Sequence, residues 1–121
     1  MFRLEIGYMK FEDLQVWKRA ARLCANVYTE FKGCRDFGFK DQITRSALSI
    51  ASNIAEGYER DSEKDRVRFL SYSKGSCGEL RTQIYIGIEI GYIEKQLGQQ
   101  WAQETREISK MLHGLMASFR R

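Results

Sequence analysis

The side chains that could do chemistry in this sequence are few and poorly arranged for catalysis. The single histidine, His113, falls beside Leu112 and Leu115 in an apolar helical pattern, so we expect a packing or edge position rather than a general base. Ser76 and Glu79 are close in sequence, but no base and no orienting group accompany them as a hydrolase would require. The sequence therefore predicts that the protein is not an enzyme.

Motifs for metals and cofactors are also missing from the sequence. There is no ExxH pair for a di-iron site, no Cys and His set with zinc spacing, and no P-loop or GxGxxG motif. The segment GSCGE falls inside a helical pattern, which argues against a phosphate-binding loop there. We expect neither a metal nor a cofactor.

The cysteines and the hydropathy pattern indicate the compartment. Cys24, Cys34 and Cys77 are odd in number and never form a CxxC pair, which is typical of free thiols in a reducing cytosol. Cys24 and Cys77 fall on apolar stripes and are expected to be buried, whereas Cys34 is the candidate for an exposed thiol. The longest apolar run, IYIGIEIGYI, is too short to span a membrane, and no secretory signal is apparent. We expect a cytoplasmic protein.

Basic residues suggest one kind of binding. The chain has 20 Lys and Arg against 16 Asp and Glu, a net charge of +4, and the excess lies toward its two ends. Such residues could bind phosphate with salt-sensitive, sequence-tolerant affinity, and the candidates are Lys18, Arg19, Arg22, Arg120 and Arg121. Because acids and bases are interleaved, solvated helix faces with salt bridges are the alternative.

Surplus apolar residues suggest a second kind of binding. The third periodic segment is apolar on more than one side, since Ile84, Ile86, Ile88 and Ile90 cannot all face one stripe. Residues left outside a core could form an interface between subunits. The sequence thus favours self-association, either with nucleic-acid binding or as a protein-interaction module in which the basic residues are incidental.

Four periodic segments position all these residues. A chain of 121 residues without proline is the size of one domain and favours long helices. The apolar stripes are Leu14, Trp17, Ala21, Cys24, Tyr28 and Phe31; Ile43, Ala47, Ile50 and Ile54; Val67, Leu70, Cys77, Leu80, Ile84 and Ile88; and Trp101, Ile108, Leu112, Leu115 and Phe119. They predict an all-α, antiparallel up-down-up-down four-helix bundle.

Small and polar residues mark the boundaries of the helices. The second helix is expected to end around Gly57 as a left-handed C-cap, and the third to begin after Ser62 as N-cap and to run to Gly91. Residues 1–8 are predicted to be an irregular extension ahead of a single domain that covers residues 9–121.

A polar line flanks the apolar stripe of the second helix, and the third helix carries a similar one. The two lines are Gln42, Ser46, Ser49, Asn53, Glu56 and Arg60, and Ser73, Ser76, Glu79, Gln83 and Gly87. In an antiparallel hairpin paired positions have a constant sum, and Ser46–Ser76, Ser49–Ser73 and Glu56–Arg66 all sum to 122. We predict that the two helices approach closely through small residues, with a Glu56–Arg66 ion pair. A solvated face and a contact with another subunit are the alternatives.

The segment QITRSALSIASNIAEGYERDSEKDRVRFLSYSKGSCGELRTQI carries a family resemblance. It resembles the signature region of four-helix-bundle proteins encoded in intervening sequences of bacterial 23S rRNA genes, with its Q-I-x-R-x-A-x-S-I-x-S-N-I-A-E-G run. The likeness extends from Phe11 to about Phe119. Ala51 departs from it, because proline is frequent there, and should leave the second helix unkinked.

The resemblance implies an assembly and partners. The family is similar to the accessory variability determinant of diversity-generating retroelements, and those relatives form ring-shaped homopentamers. That accessory protein binds nucleic acid and a reverse transcriptase. A homopentamer, RNA or DNA, and by analogy a reverse transcriptase are therefore the expected partners. The matching motif positions are Arg45, Ser49, Asn53, Glu56, Gly57, Arg60, Ser62, Ser76 and Glu79.

Overall fold

A computed structural model of the chain describes residues 10–120. A short 3-10 helix, Phe11–Asp13, precedes four α-helices, which are α1 (Gln15–Glu30), α2 (Phe37–Tyr58), α3 (Glu63–Glu89) and α4 (Lys95–Phe119). Residues 10–120 contain no strand, and the prediction of an all-α fold is confirmed. The extension predicted for residues 1–8 lies outside the described residues. Within 10–120, no helix combines the length and the apolar character needed to cross a membrane.

The helices pack in chain order around one core. Each helix contacts the next, and α4 also contacts α1. The α2–α3 and α3–α4 interfaces are the most extensive, and the α1–α4 interface is the smallest of the four. Helices α2 and α3 are antiparallel, because Ser49 lies against Ser76 while the later residue Gly57 lies against the earlier residue Phe69. The result is a four-helix bundle with a continuous apolar core.

The core face of α2 agrees with the predicted stripe. Ile43, Ala47, Ile50 and Ile54 are completely buried. Their spacing of four, three and four residues keeps them on one side of the helix, which faces the core between α1 and α3. Helix α2 also runs unbroken through Ala51, as expected for a helix without proline at that position.

The core face of α1 agrees only in part with the predicted stripe. Leu14, Trp17 and Ala21 are partly buried against the core, and the prediction was wrong for Tyr28. Two of the predicted members, Cys24 and Phe31, are buried, but Tyr28 is 44% exposed. The remaining buried residues of α1 are Val16, Ala20, Leu23 and Val27. The apolar residues of α1 cover an arc that is wide enough for two neighbouring stripes. The stripe that faces the core is the one formed by Val16, Ala20, Leu23 and Val27, which contains no aromatic residue. Trp17 therefore lies at the half-buried edge of the arc.

Gly57 is not the C-cap that the sequence suggested. Helix α2 continues to Tyr58, and among residues 10–120 only Gly91 has a left-handed backbone, with φ at 81°. Gly57 is buried where α2 meets α3, and a Cβ atom there would lie 3.2 Å from Phe69 Cβ and 3.3 Å from the carbonyl oxygen of Arg66. The glycine is thus required by the closeness of two helices rather than by its own backbone conformation.

Side-chain caps begin three of the four helices. Ser62 Oγ accepts a hydrogen bond from the backbone N–H of Asp65 at 3.1 Å, which confirms the predicted N-cap of α3. Asp36 caps α2 and Glu94 caps α4 in the same way. These bonds lower the pKa of both carboxyl groups, since each is bonded to backbone N–H groups.

Asp36 also connects two loops at one end of the bundle. The Tyr92 hydroxyl, in the α3–α4 connection, donates to Asp36 Oδ2 at 2.8 Å. The Tyr92 ring packs edge-on against Phe39 with centroids 5.4 Å apart, and Phe39 in turn packs against the buried ring of Phe31. This contact joins the α1–α2 connection to the α3–α4 connection.

Candidate nucleic-acid interface

Three of the predicted basic residues lie together in a groove between α1 and α4. Lys18, Arg19 and Arg22 follow one another at intervals of one and three residues and lie on the side of α1 that faces α4. The groove encloses about 500 Å³. Its other polar lining residues are Gln15, Asn26, Gln100 and Glu104, and its apolar lining residues are Leu23, Leu97 and Trp101.

Arg19 is held in this groove by Glu104 of α4. Arg19 Nε lies 2.8 Å from Glu104 Oε2, and Arg19 Nη2 lies 2.6 Å from Glu104 Oε1. A third contact joins Arg19 Nη1 to the sulfur of Met111 at 3.6 Å. The hydrogen bond with Glu104 raises the pKa of Arg19, and burial opposes it. Such a two-point pair fixes both the position and the plane of the guanidinium group.

The prediction that Arg19 binds phosphate stays a prediction, but the surroundings of Arg19 do not favour it. Its charge is balanced by Glu104, and most of its hydrogen-bonding edge already has a partner. Lys18 and Arg22 are different, because both are exposed and neither has a carboxylate within ion-pair distance in the described part of the chain. They are the two cations that the groove offers to an anion.

Arg120, one of the two basic residues predicted at the end of the chain, lies elsewhere. Arg120 is exposed beyond α4, next to Glu63 and Lys64 at the start of α3. It is 16 residues beyond Glu104, which corresponds to about 24 Å along a helix. Arg121 lies outside the described residues. Arg120 is thus not part of the groove that contains Lys18, Arg19 and Arg22.

The polar line forms a real seam between α2 and α3, but its predicted register was wrong by about one helical turn. Ser49 Oγ lies 2.6 Å from Ser76 Oγ and 2.9 Å from the carbonyl oxygen of Ser46. Ser49 therefore donates to the carbonyl group and accepts from Ser76. Ser73, which was paired with Ser49 in the prediction, is buried and donates to the carbonyl oxygen of Ile50 at 2.7 Å. These bonds lie within one chain.

The predicted ion pair between Glu56 and Arg66 is also wrong. Glu56 pairs instead with Arg60, which lies just beyond the end of α2, with Oε2 and Nη2 2.5 Å apart. Arg66 Nε donates to the carbonyl oxygen of Arg60 at 3.1 Å, which ties the start of α3 to the end of α2. The Arg60 guanidinium lies over the Phe69 ring, 4.5 Å from its centroid.

The other motif positions have varied surroundings. Asn53 is half-buried and donates to the carbonyl oxygen of Ser49 at 2.8 Å, so its amide stays within α2. Arg45 pairs with Asp41 on the exposed side of the same helix at 3.0 Å. Glu79 is exposed beside the seam. The predicted role in helix pairing therefore applies to some of the motif positions, which are Ser49, Gly57, Arg60 and Ser76.

The outer side of α3 exposes large apolar side chains next to this seam. Tyr72, Ile86 and Ile90 are 51%, 47% and 48% exposed. Their spacing places them on one side of α3 together with Ser76 and Gln83. The side-chain oxygen of Gln83 is buried without a hydrogen-bond partner. Exposed apolar side chains that lie together on one side of a helix are typical of a surface that binds a partner.

The candidate catalytic groups are not brought together. Cys24 and Cys77 are buried, as predicted, and burial raises the pKa of Cys77 to about 12. Cys34 is half-buried, and His113 is exposed on α4. No cluster of three or more His, Cys, Asp or Glu side chains that could hold a metal ion occurs in residues 10–120.

Sequence comparison identifies the family. A sequence model of the 23S rRNA-intervening sequence proteins matches residues 12–114. The chain belongs to this family. A protein of unknown function from the S23 ribosomal protein family of Bacteroides thetaiotaomicron VPI-5482 has a similar crystal structure, with a TM-score of 0.78 and 22% identity over 84% of this chain and 97% of that chain. This likeness supports the shared fold, and no curated protein matches the chain.

The α4 wall of the groove was not predicted from the sequence. Glu104, the partner of Arg19, is 85 positions away in the chain. The available signal was a second polar line on α1, in which Gln15, Arg19, Arg22 and Asn26 recur at helical spacing on the side away from Tyr28. That line indicates a second face of α1, although it does not identify the residues opposite.

Proposed function

We propose that this member of the 23S rRNA-intervening sequence protein family is a non-catalytic, self-associating helical bundle that binds nucleic acid through the α1–α4 groove. The observation that carries the proposal is the convergence of Lys18, Arg19 and Arg22 with three amide side chains in one groove. The unpaired cysteines support a cytoplasmic location as part of the proposal.

Charge gives the groove a weak affinity for a single strand. Lys18 and Arg22 can each neutralise one phosphate, and two such contacts predict about a sevenfold loss of affinity between about 50 and 200 mM salt. Self-association multiplies these contacts, because each additional subunit binds the same strand at a high effective concentration. A ring of five chains, which the family resemblance implies, would therefore bind far more tightly than one chain.

Reversal of the two unpaired charges tests the proposal. In the Lys18→Glu, Arg22→Glu double variant, affinity for labelled RNA and DNA oligonucleotides should fall at least about tenfold, because two phosphate contacts become repulsive. Fluorescence anisotropy at two salt concentrations measures this. The matched control is Lys64→Glu with Lys95→Glu, which changes the net charge equally at exposed positions outside the groove. An equal loss in both double variants, or no binding by the wild type at low salt, would refute nucleic-acid binding at this groove.

A protein-interaction module without a nucleic-acid role is the second candidate. It is favoured by the exposed Tyr72, Ile86 and Ile90 of α3 and by the neutralisation of Arg19 by Glu104. On this reading α3 binds another protein, of which a reverse transcriptase is the example suggested by analogy. Intact assembly together with no affinity for oligonucleotides would favour this candidate.

A further inference from the structure

The Arg19 guanidinium is oriented by its neighbours in a way that limits what it can bind. Three of its N–H bonds are directed to Glu104 and to the Met111 sulfur, out of the five that a guanidinium carries. A phosphate would have to compete with a carboxylate for the same edge. The edge is thus a poor site for another anion.

The flat side of the group is a different kind of surface. The Arg19 side chain keeps 39% of its surface exposed although its edge is occupied. A guanidinium plane that is fixed in position can stack on a nucleic-acid base, as arginine planes do in the recognition of unpaired bases. Because Glu104 already fixes the plane, little conformational freedom would be lost when a base stacks on it.

The surroundings of Arg19 suit the rest of a nucleotide. Lys18 and Arg22 lie on either side of it in the sequence and supply positive charge for phosphates. Gln15, Asn26 and Gln100 line the same groove with amide groups, which can both donate to and accept from a base edge. A volume of about 500 Å³ lies within the range of small-ligand sites.

We propose that the groove receives an unpaired base of a single-stranded nucleic acid, which stacks on the Arg19 guanidinium while Lys18 and Arg22 contact the adjoining phosphates. This inference rests on the proposed function and adds to it a preference for single strands over duplexes. In a duplex the bases already stack on one another, so only the phosphate contacts would be available.

The test compares a single strand with a hairpin of equal length whose strands are joined by a non-nucleotide linker, so that the hairpin has no unpaired base, in RNA and in DNA, by fluorescence anisotropy. Wild-type protein should prefer the single strand. Arg19→Lys keeps the charge but removes the plane, so its affinity for the single strand should fall about fivefold or more while its affinity for the hairpin changes little. Arg45→Lys is the matched control, because Arg45 also pairs with a carboxylate but lies on α2.

A second variant covers the case in which Arg19→Lys fails to fold, which thermal unfolding would reveal. Glu104→Gln keeps the arginine but weakens the pair that fixes its plane, so the preference for the single strand should decrease while affinity for the hairpin stays equal or rises. If wild type binds both forms equally and Arg19→Lys leaves their ratio unchanged, stacking is refuted and charge-based binding stands. If wild type binds neither form, the proposed function itself is wrong.

Discussion

Among single side chains, Asp36 has a role that pH can test. Its carboxylate accepts the Phe39 backbone N–H at 3.1 Å and the Tyr92 hydroxyl at 2.8 Å. Both bonds favour the charged form and lower the pKa of Asp36 below the ordinary 3.8, with the backbone bond as the larger cause. The stabilising effect is therefore present above the ordinary pKa and is lost as the pH falls through the lower value in the folded protein.

We expect Tyr92→Phe to raise the pKa of Asp36 only part of the way to 3.8, because the Phe39 N–H remains bonded to it. NMR titration of the side-chain carboxyl groups measures this directly. Glu94 is an internal control, since its pKa is lowered by the backbone N–H groups of Gln96 and Leu97 and not by Tyr92. An Asp36 that titrates at its ordinary value in the wild type would contradict this account, as would one that Tyr92→Phe does not affect.

At the scale of helices, the approach of α2 to α3 depends on Gly57. We expect Gly57→Ala to destabilise the protein by about 1 kcal/mol, because the added methyl group meets Phe69 Cβ and the Arg66 carbonyl group, which move only if the helices separate. Urea denaturation measures the change in the free energy of unfolding.

Gly75→Ala is the matched control for this substitution. Gly75 lies within α3, and a Cβ atom there would have no neighbour within 4 Å. Alanine is a better helix former than glycine, so this variant should be about 0.5–1 kcal/mol more stable than wild type. If Gly57→Ala proves as stabilising as Gly75→Ala, the two helices are not in the close contact described here.

The helices show which features of the fold the sequence can predict. The stripe of α2 and the Ser62 cap depend on neighbours within a few residues, and both predictions are confirmed. The pairing of Ser49 depends on the shape of the turn between α2 and α3 and on how the helices cross. A constant sum of residue numbers takes no account of the turn or of the crossing angle. The predicted register was therefore about one turn from the observed Ser49–Ser76 contact.

Only the α1 side of the candidate groove could be predicted from the sequence. Lys18, Arg19 and Arg22 were identified because they are neighbours in sequence and their charge is visible there. Glu104 changes the role of Arg19, but it belongs to α4, which contacts α1 although α2 and α3 separate the two helices in the chain. No local pattern connects positions so far apart in the chain.

At the scale of the whole molecule, the groove and the exposed apolar side of α3 lie on different parts of the bundle. The groove is between α1 and α4. Tyr72 and Ile86 lie on the same side of α3 as Ser76, and Ser76 contacts α2. Association through α3 would therefore leave the groove open, and the two proposed activities are compatible in one assembly. Covering Tyr72, Ile86 and Ile90 would also remove apolar surface from water.

We expect wild-type protein to elute as an oligomer in size-exclusion chromatography with light scattering. Five chains of 14.2 kDa would give about 71 kDa. Ile86→Arg places a charge in the centre of the apolar surface and should shift the protein toward 14.2 kDa, with helix content by circular dichroism unchanged because Ile86 is outside the core. Gln99→Arg adds the same charge at an exposed position of α4 and should leave the assembly intact. A wild-type monomer at micromolar concentration, or equal dissociation of both variants, would rule out association through this side of α3.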